Sequence, residues 1–145
     1  MRAWNAAAKH SKGAILVQMA DDFECPPGWD SAIRRELGEN INKSKVLRVS
    51  DGLREDGLIT MAIVTRPWFE ERGLFDPKFR NVYSDNDLTA SAESAGAIIE
   101  ARHLLFPHNH PMAGKAEWDA TYTRGNDLEE YKRAKEIYEQ KHGKK

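Results

Sequence analysis

Three pairs of acidic and histidine residues have the side-chain types and the close spacing needed to bind a metal ion and a phosphate. The pairs are Asp21 with Asp22, Asp85 with Asp87, and His108 with His110. Carboxylate oxygens suit hard cations such as Mg²⁺ and Mn²⁺, and imidazole nitrogens bind Mn²⁺ or Zn²⁺. We expect the three pairs to converge on one site that holds a metal ion and a phosphate group.

The acid pair Asp21 and Asp22 follows an apolar run at residues 14–19. The run is short and mostly aliphatic, which predicts a buried β-strand. In open α/β sheets, ligands bind at the carboxyl ends of the strands, where these two acids would lie. Their mutual repulsion must be offset by a helix N-terminus, by hydrogen bonds or by a divalent cation. The alternative is an Asx-type turn that leaves the strand and has no ligand.

Asp85 lies in the first turn of a helix predicted at residues 84–95. An ionised carboxylate there can act as a general base that takes a proton from a hydroxyl group. The helix dipole alone would also favour an acid at this position, by about 0.3–1 kcal/mol. Asp87 is predicted to complete a capping box with Ser84 as the N-cap, so Asp85 is the better candidate for chemistry.

His108 and His110 are separated by one residue and flanked by Pro107 and Pro111. Alternate residues of an extended segment point the same way, so both rings can face one metal site. The alternative is a surface loop between two prolines. Trp118 lies in a polar segment at residues 112–123, which is predicted to be a loop.

The apolar spacing and the turn residues predict a chain that alternates between helices and strands. Helices are expected at 1–11, 29–37, 66–72, 84–95 and from Asn126, as the N-cap, to about Lys141. Strands are expected at 14–19, 46–50, 58–65 and 97–101. The pattern predicts an α/β domain.

Composition indicates one globular domain over the 145 residues, with a net charge of −1 that offers no general attraction for nucleic acid. Cys25 is the single cysteine, so no intrachain disulfide can form, which fits a reducing compartment. No apolar stretch is long enough for an integral membrane segment, and residues 1–12 lack the apolar core of a signal peptide. We therefore expect a cytoplasmic protein.

These pieces, in this order, resemble the second half of a family-2 glycosyltransferase with the GT-A fold. Residues 17–29 look like that family's strand and D-x-D segment with its proline-containing loop. Residues 62–79 look like its helix and Gly-x-Phe-Asp-x-x-Phe stretch. Residues 84–88 look like its Glu-Asp-x-Asp-Leu helix, and Ala92 and Gly96 continue that likeness. The resemblance extends over about the first 110 residues.

The resemblance implies a three-layer, GT-A-like mixed sheet flanked by helices and a metal-dependent, inverting transfer of sugar from a nucleotide-sugar to an acceptor hydroxyl. Asp22 would bind the Mn²⁺ or Mg²⁺ that holds the diphosphate, with Asp21 beside it in the motif. Asp85 would deprotonate the acceptor. His108 or His110 falls where many GT-A enzymes place a late metal ligand, so both are candidate metal ligands.

The sequence departs from the family pattern in three places. Ala20 stands at the first acid of D-x-D, and Ser84 stands where a Glu usually precedes the base. The family's first strands, which bind the nucleotide base and ribose, would precede residue 1. We therefore expect a single, truncated glycosyltransferase-like domain over residues 1–145. Its exposed sheet edge would pair in a homo-oligomer or with a missing partner subunit.

Two other functions are consistent with the same residues. One is a non-catalytic binding or assembly module that retains the fold. The other is a small metal-dependent phosphoesterase; its site would consist of Asp21, Asp22, His108 and His110. The segment at residues 112–124 is a candidate acceptor-side or lid element under the glycosyltransferase hypothesis.

Overall fold

The computed structural model describes residues 1–125 and 127–143, apart from the side chains at positions 121, 124 and 125. The α-helices are α1 (Arg2–His10), α2 (Trp29–Leu37), α3 (Arg66–Arg72), α4 (Ser84–Ser94), α5 (Ala120–Gly125) and α6 (Leu128–His142). The strands are β1 (Ile15–Val17), β2 (Val46–Ser50), β3 (Ile63–Thr65) and β4 (Ile98–Leu105). Short 3-10 turns occur at Gly38–Asn42 and Pro111–Ala113.

The four strands form one mixed sheet in the order β1-β3-β2-β4. β3 is antiparallel to both of its neighbours, β1 and β2, while β2 and β4 are parallel. β1, β2 and β4 therefore run in the same direction and end at the same edge of the sheet. This geometry confirms the α/β prediction at the level of a mixed sheet with helices.

The core lies on both faces of the sheet because neighbouring strand residues point to opposite sides. Val46 and Val64 join a cluster that includes Ala8 of α1, Trp68 of α3 and Leu88 of α4. The next residues on the same strands, Leu47 and Ile63, pack with Ile33 and Leu37 of α2. Helices thus cover the sheet from two sides, and the strand ends stay available for a site.

The strand predicted at residues 58–65 was wrong over its first half, since only Ile63–Thr65 forms β3. The segment before β3 is held by hydrogen bonds to side chains and not by pairing with a neighbouring strand. The Ile59 backbone N–H donates to Thr89 Oγ1 at 2.9 Å, and Thr60 Oγ1 donates to an oxygen of Asp51 at 3.0 Å. These bonds hold the segment out of the regular ladder.

The capping box predicted at the start of α4 was also wrong. Tyr83 is the N-cap, with a left-handed φ of 65°, and it makes no side-chain cap. The Ser84 hydroxyl donates backwards to the carbonyl of Asn81 at 2.6 Å. Asp87 accepts hydrogen bonds from Lys141 and His142 of α6 rather than serving the helix start.

The C-terminal segment is more helical than predicted, because residues 111–113 and α5 interrupt the expected loop at 112–123. The predicted N-cap Asn126 lies outside the described residues. Asp127 caps α6, since its side chain accepts from the backbone N–H of Glu130 at 3.1 Å. β4 runs four residues beyond its predicted end, to Leu105.

Within residues 1–125 and 127–143, no helix is long and apolar enough to cross a membrane. β1 and β4 are the two outer strands of the sheet. Pairing of an exposed edge with a second copy or with a partner subunit stays a prediction.

Candidate functional site

A short antiparallel bridge brings His108 to Asp22. Phe23 pairs with His108, the Glu24 N–H donates to the Pro107 carbonyl at 2.9 Å, and the Asn109 N–H donates to the Asp22 carbonyl at 2.7 Å. The side chains then meet directly, with His108 Nε2 3.0 Å from Asp22 Oδ2. The imidazole also stacks on the Phe23 ring at 4.1 Å. The segment after β4 is thus fixed beside the end of β1.

Asp51 is a third member of the site, and it was missed at the level of sequence. It directly follows β2, whereas Asp22 lies further along the loop after β1, and its carboxylate oxygen Oδ2 lies 4.0 Å from His108 Nδ1. The His108 N–H donates to the Asp51 carbonyl at 3.0 Å. The imidazole therefore lies between two carboxylates. An acid directly after a predicted strand was the available signal.

The Asp51 side chain is 4% exposed and organises the loop that follows it. Its Oδ1 accepts from the backbone N–H groups of Leu53 and Arg54 at 2.8 and 2.9 Å. Its Oδ2 accepts from the Thr60 hydroxyl. Such an Asx-type turn fixes the direction in which the chain leaves β2. Asp51 is consequently a positioned carboxylate with most of its acceptor capacity already used.

Asp22 differs from Asp51 in that only one of its two carboxylate oxygens has a hydrogen-bond partner among the described residues. Its Oδ2 accepts from the Tyr122 hydroxyl at 3.0 Å and contacts His108. Its Oδ1 is buried and has no hydrogen-bond partner among the described residues. A buried carboxylate oxygen without a donor is costly, because it loses water and gains nothing in return. Asp21, next to it, is exposed.

The aromatic side chain that contacts the Asp22 carboxylate is that of Tyr122. The Tyr122 ring contacts the edge of His110 at 5.0 Å and lies 6.1 Å from the ring of Trp118. Burial, together with the hydrogen bond to Asp22, raises the pKa of Tyr122 to about 12, so the hydroxyl stays a proton donor at neutral pH. Burial and the nearby His108 lower the pKa of His110 below its ordinary value.

His110 has one nitrogen engaged. Its Nδ1 accepts from the Met112 backbone N–H at 3.2 Å and thereby caps the turn at Pro111–Ala113. A neutral ring that accepts at Nδ1 carries its proton on Nε2. To bind a metal ion through Nε2, the neutral ring would have to move this proton to Nδ1. The hydrogen bond from the Met112 N–H to Nδ1 would then be lost.

Asp85 is half-buried at the start of α4, and its Oδ1 accepts from the Asn86 N–H at 2.9 Å. Burial raises the pKa of Asp85, and the positive charge of Arg54 opposes that rise. The pKa of Arg54 is raised mainly by its hydrogen bond to Asp56, and the charges of Asp85 and Asp51 add to this. Arg54 therefore pairs with Asp56 and places a positive charge near both Asp85 and Asp51.

The structure brings Asp22, His108 and His110 together and adds Asp51 and Tyr122 to them. Sequence offered no signal for Tyr122, which was assigned to a loop. The Asp87 carboxylate instead contacts Lys141 and His142 of α6. Throughout the described part of the chain, no group of three or more His, Cys, Asp or Glu residues is arranged to hold a metal ion.

Comparison with known proteins gave no matching family model, no matching characterised protein and no matching solved structure for this chain.

Proposed function

We propose that this chain is a GT-A-like, three-layer domain that transfers a sugar from a nucleotide-sugar to an acceptor hydroxyl with the help of Mn²⁺ or Mg²⁺. The observation that carries the proposal is the buried Oδ1 of Asp22, which has no hydrogen-bond partner among the described residues and belongs to the carboxylate that contacts His108. Ligands of open α/β sheets bind beyond the carboxyl ends of the strands, and Asp22 lies in the loop that follows β1. Its position matches the acid that binds the metal in the family that the sequence resembles.

The residues at this edge fit a divalent cation that also binds a diphosphate. Mg²⁺ is typically held by one or two carboxylates, together with substrate phosphates and water, so a complete protein cage is not required. Asp22 would supply the oxygen ligand, and His108 would supply a nitrogen once its contact with Asp22 is released. Bound there, the cation would neutralise the charge of the diphosphate leaving group. Asp21, which is exposed, would lie beside Asp22 in the middle position of the motif.

Asp85 would act as the general base. The acceptor hydroxyl loses its proton to the carboxylate while its oxygen forms the bond to the anomeric carbon. The bond between that carbon and the diphosphate oxygen breaks, and the diphosphate leaves with the electron pair. The raised pKa of Asp85, caused by burial, makes it a stronger base than an exposed acid. The positive charge of Arg54 would favour the ionised carboxylate and so oppose part of the effect of burial.

Calorimetric titration tests the cation site. Wild-type protein is titrated with Mn²⁺, and then with UDP and GDP in the presence of Mn²⁺. We expect Mn²⁺ to bind and one of the nucleotides to bind more tightly when Mn²⁺ is present. Asp22→Asn should weaken Mn²⁺ binding by at least about tenfold, since a ligand is lost. Asp30→Asn, at an exposed acid on α2, is the matched control.

Two outcomes would count against the proposal. If Asp22→Asn binds Mn²⁺ as the wild type does, Asp22 is not the metal ligand. If the protein hydrolyses a simple phosphoester such as p-nitrophenyl phosphate and does not bind nucleoside diphosphates, the phosphoesterase hypothesis is favoured. Binding of Mn²⁺ and a nucleotide without transfer to any acceptor is the result expected for a non-catalytic module.

A further inference from the structure

Tyr122 contacts the proposed cation site from a part of the chain that is distant in sequence. Its hydroxyl donates to Asp22 Oδ2 at 3.0 Å across 100 positions. Within its own segment, the Tyr122 N–H is held by Asp119 Oδ1 at 2.8 Å. The turn that carries Tyr122 thus has a local hydrogen bond to Asp119 and a long-range hydrogen bond to Asp22.

The segment that precedes Tyr122 is exposed to solvent. Each residue from 112 to 120 is exposed, including Met112 at 79% and Trp118 at 55%. Tyr122 itself is half-buried, and its ring contacts those of His110 and Trp118 edge-on. A segment with few buried apolar contacts can open without disrupting the core.

The hydroxyl and a cation would compete for the same carboxylate. An O–H group presents a positive hydrogen to Asp22 Oδ2, and a divalent cation needs that negative charge for itself. Asp22 Oδ1 has no hydrogen-bond partner among the described residues, but it is buried, so a cation cannot reach it while the surrounding side chains stay in place. Cation binding therefore requires a group that covers the carboxylate to move, and we expect that group to be the Tyr122 hydroxyl, which reaches Asp22 from a mostly exposed segment.

We propose that Tyr122 is a gate for the cation site: its hydroxyl holds Asp22 in a closed state, and residues 118–123 move away when the cation binds. The proposal rests on the proposed function, because it assumes a cation at Asp22. The closed state lowers the apparent affinity for the cation by the fraction of molecules in which the gate is shut.

Mn²⁺ affinity of Tyr122→Phe, measured by calorimetry at neutral pH, tests the gate. The substitution keeps the ring and removes the competing hydrogen bond, so we expect Mn²⁺ to bind about threefold to tenfold more tightly. Tyr131→Phe is the matched control, because it removes a hydroxyl that contacts Tyr83 instead of Asp22. Its affinity should equal that of the wild type.

Movement of the segment is followed through Trp118 fluorescence with Mg²⁺, which does not quench by paramagnetism. The Trp118 signal is obtained by subtracting the spectrum of Trp118→Phe, since the chain has four tryptophans. We expect the Trp118 emission to change as Mg²⁺ saturates the site. If the Trp118 emission is unchanged when Mg²⁺ saturates the site, the proposal that residues 118–123 move away is wrong.

Asp22→Asn separates failure of the gate from failure of the site. If Asp22→Asn loses Mn²⁺ binding and Tyr122→Phe binds with unchanged or weaker affinity, the site stands and the gate is wrong. If Asp22→Asn binds Mn²⁺ normally, the cation is elsewhere and both proposals fail. Tighter binding by Tyr122→Phe, with loss of binding in Asp22→Asn, supports the gate.

Discussion

His108 Nε2 lies 3.0 Å from Asp22 Oδ2, although 86 positions separate the two residues. The contact joins the end of β1 to the segment that follows β4. It is supported by a backbone bridge and by the stacked rings of His108 and Phe23. The imidazole is therefore both a structural contact and a candidate metal ligand. Its removal should affect the stability of the fold as well as metal binding.

Replacement of His108 by Ala should lower the free energy of unfolding by about 1–3 kcal/mol, because a mostly buried hydrogen bond to a carboxylate and a ring stack are lost. The change is measured by urea denaturation. His103→Ala is the control, since His103 is 63% exposed and its pair with Glu36 is worth little. Equal stability losses in the two variants would show that the Asp22 contact contributes nothing.

Asp85→Asn should stabilise the protein at neutral pH and impair transfer. Burial raises the pKa of Asp85 above its ordinary value of 3.8, so the fold disfavours the ionised form. The stability associated with the protonated acid is fully present below pH 3.8 and is lost as the pH rises through the raised pKa. The asparagine side chain of Asp85→Asn carries no charge, so the variant does not lose this stability as the pH rises. Without the general base, the rate of sugar transfer should fall by about 10²- to 10⁴-fold.

Thermal unfolding of wild type and Asp85→Asn across this pH range measures the effect. The variant should have the higher midpoint at pH 7, and the difference should shrink in acid. Glu55→Gln, at an exposed loop acid, should show no such trend. A lower midpoint for Asp85→Asn at neutral pH would mean that the ionised carboxylate stabilises the fold.

Asp87→Ala should weaken the attachment of α6 to α4. The Asp87 carboxylate accepts from Lys141 Nζ at 3.0 Å and is 2.7 Å from His142 Nε2, and it is nearly buried. Lys141 also binds Asp76, so part of its pairing survives and we expect a loss of about 1–3 kcal/mol. Faster hydrogen exchange confined to residues 128–142 would locate the change.

The control for Asp87 is Glu129→Ala, which breaks an ion pair whose side chains are 79% and 59% exposed. Its stability should change by less than about 1 kcal/mol. If Asp87→Ala leaves exchange in α6 unchanged, packing of the helix, and not this cluster, holds it in place.

Local patterns were sufficient to predict part of the site. The apolar run at residues 14–19 predicted a buried strand, and β1 forms within it, because burial is encoded in a few neighbouring residues. β1 covers only Ile15–Val17, so Asp21 and Asp22 lie in the loop after the strand and not directly at its end. His108 was identified by its spacing from His110. The same reasoning applied to β2 would have identified Asp51, since that acid directly follows a buried strand.

Other features depend on contacts between distant residues. The capping box at α4 failed because Asp87 is engaged by Lys141 and His142, which lie more than fifty positions away. Tyr122 reaches Asp22 from a polar segment without clear periodicity. The upstream half of the predicted strand at 58–65 is held by the side chains of Asp51 and Thr89, and no local pattern specifies such bonds.

The most direct test of the central claim is anomalous diffraction from crystals soaked with Mn²⁺ and UDP or GDP. The account predicts a manganese peak within bonding distance of Asp22, with the diphosphate oxygens as further ligands. It also predicts that the peak disappears in Asp22→Asn crystals treated in the same way. A manganese peak away from Asp22, or one that persists in Asp22→Asn, would contradict it.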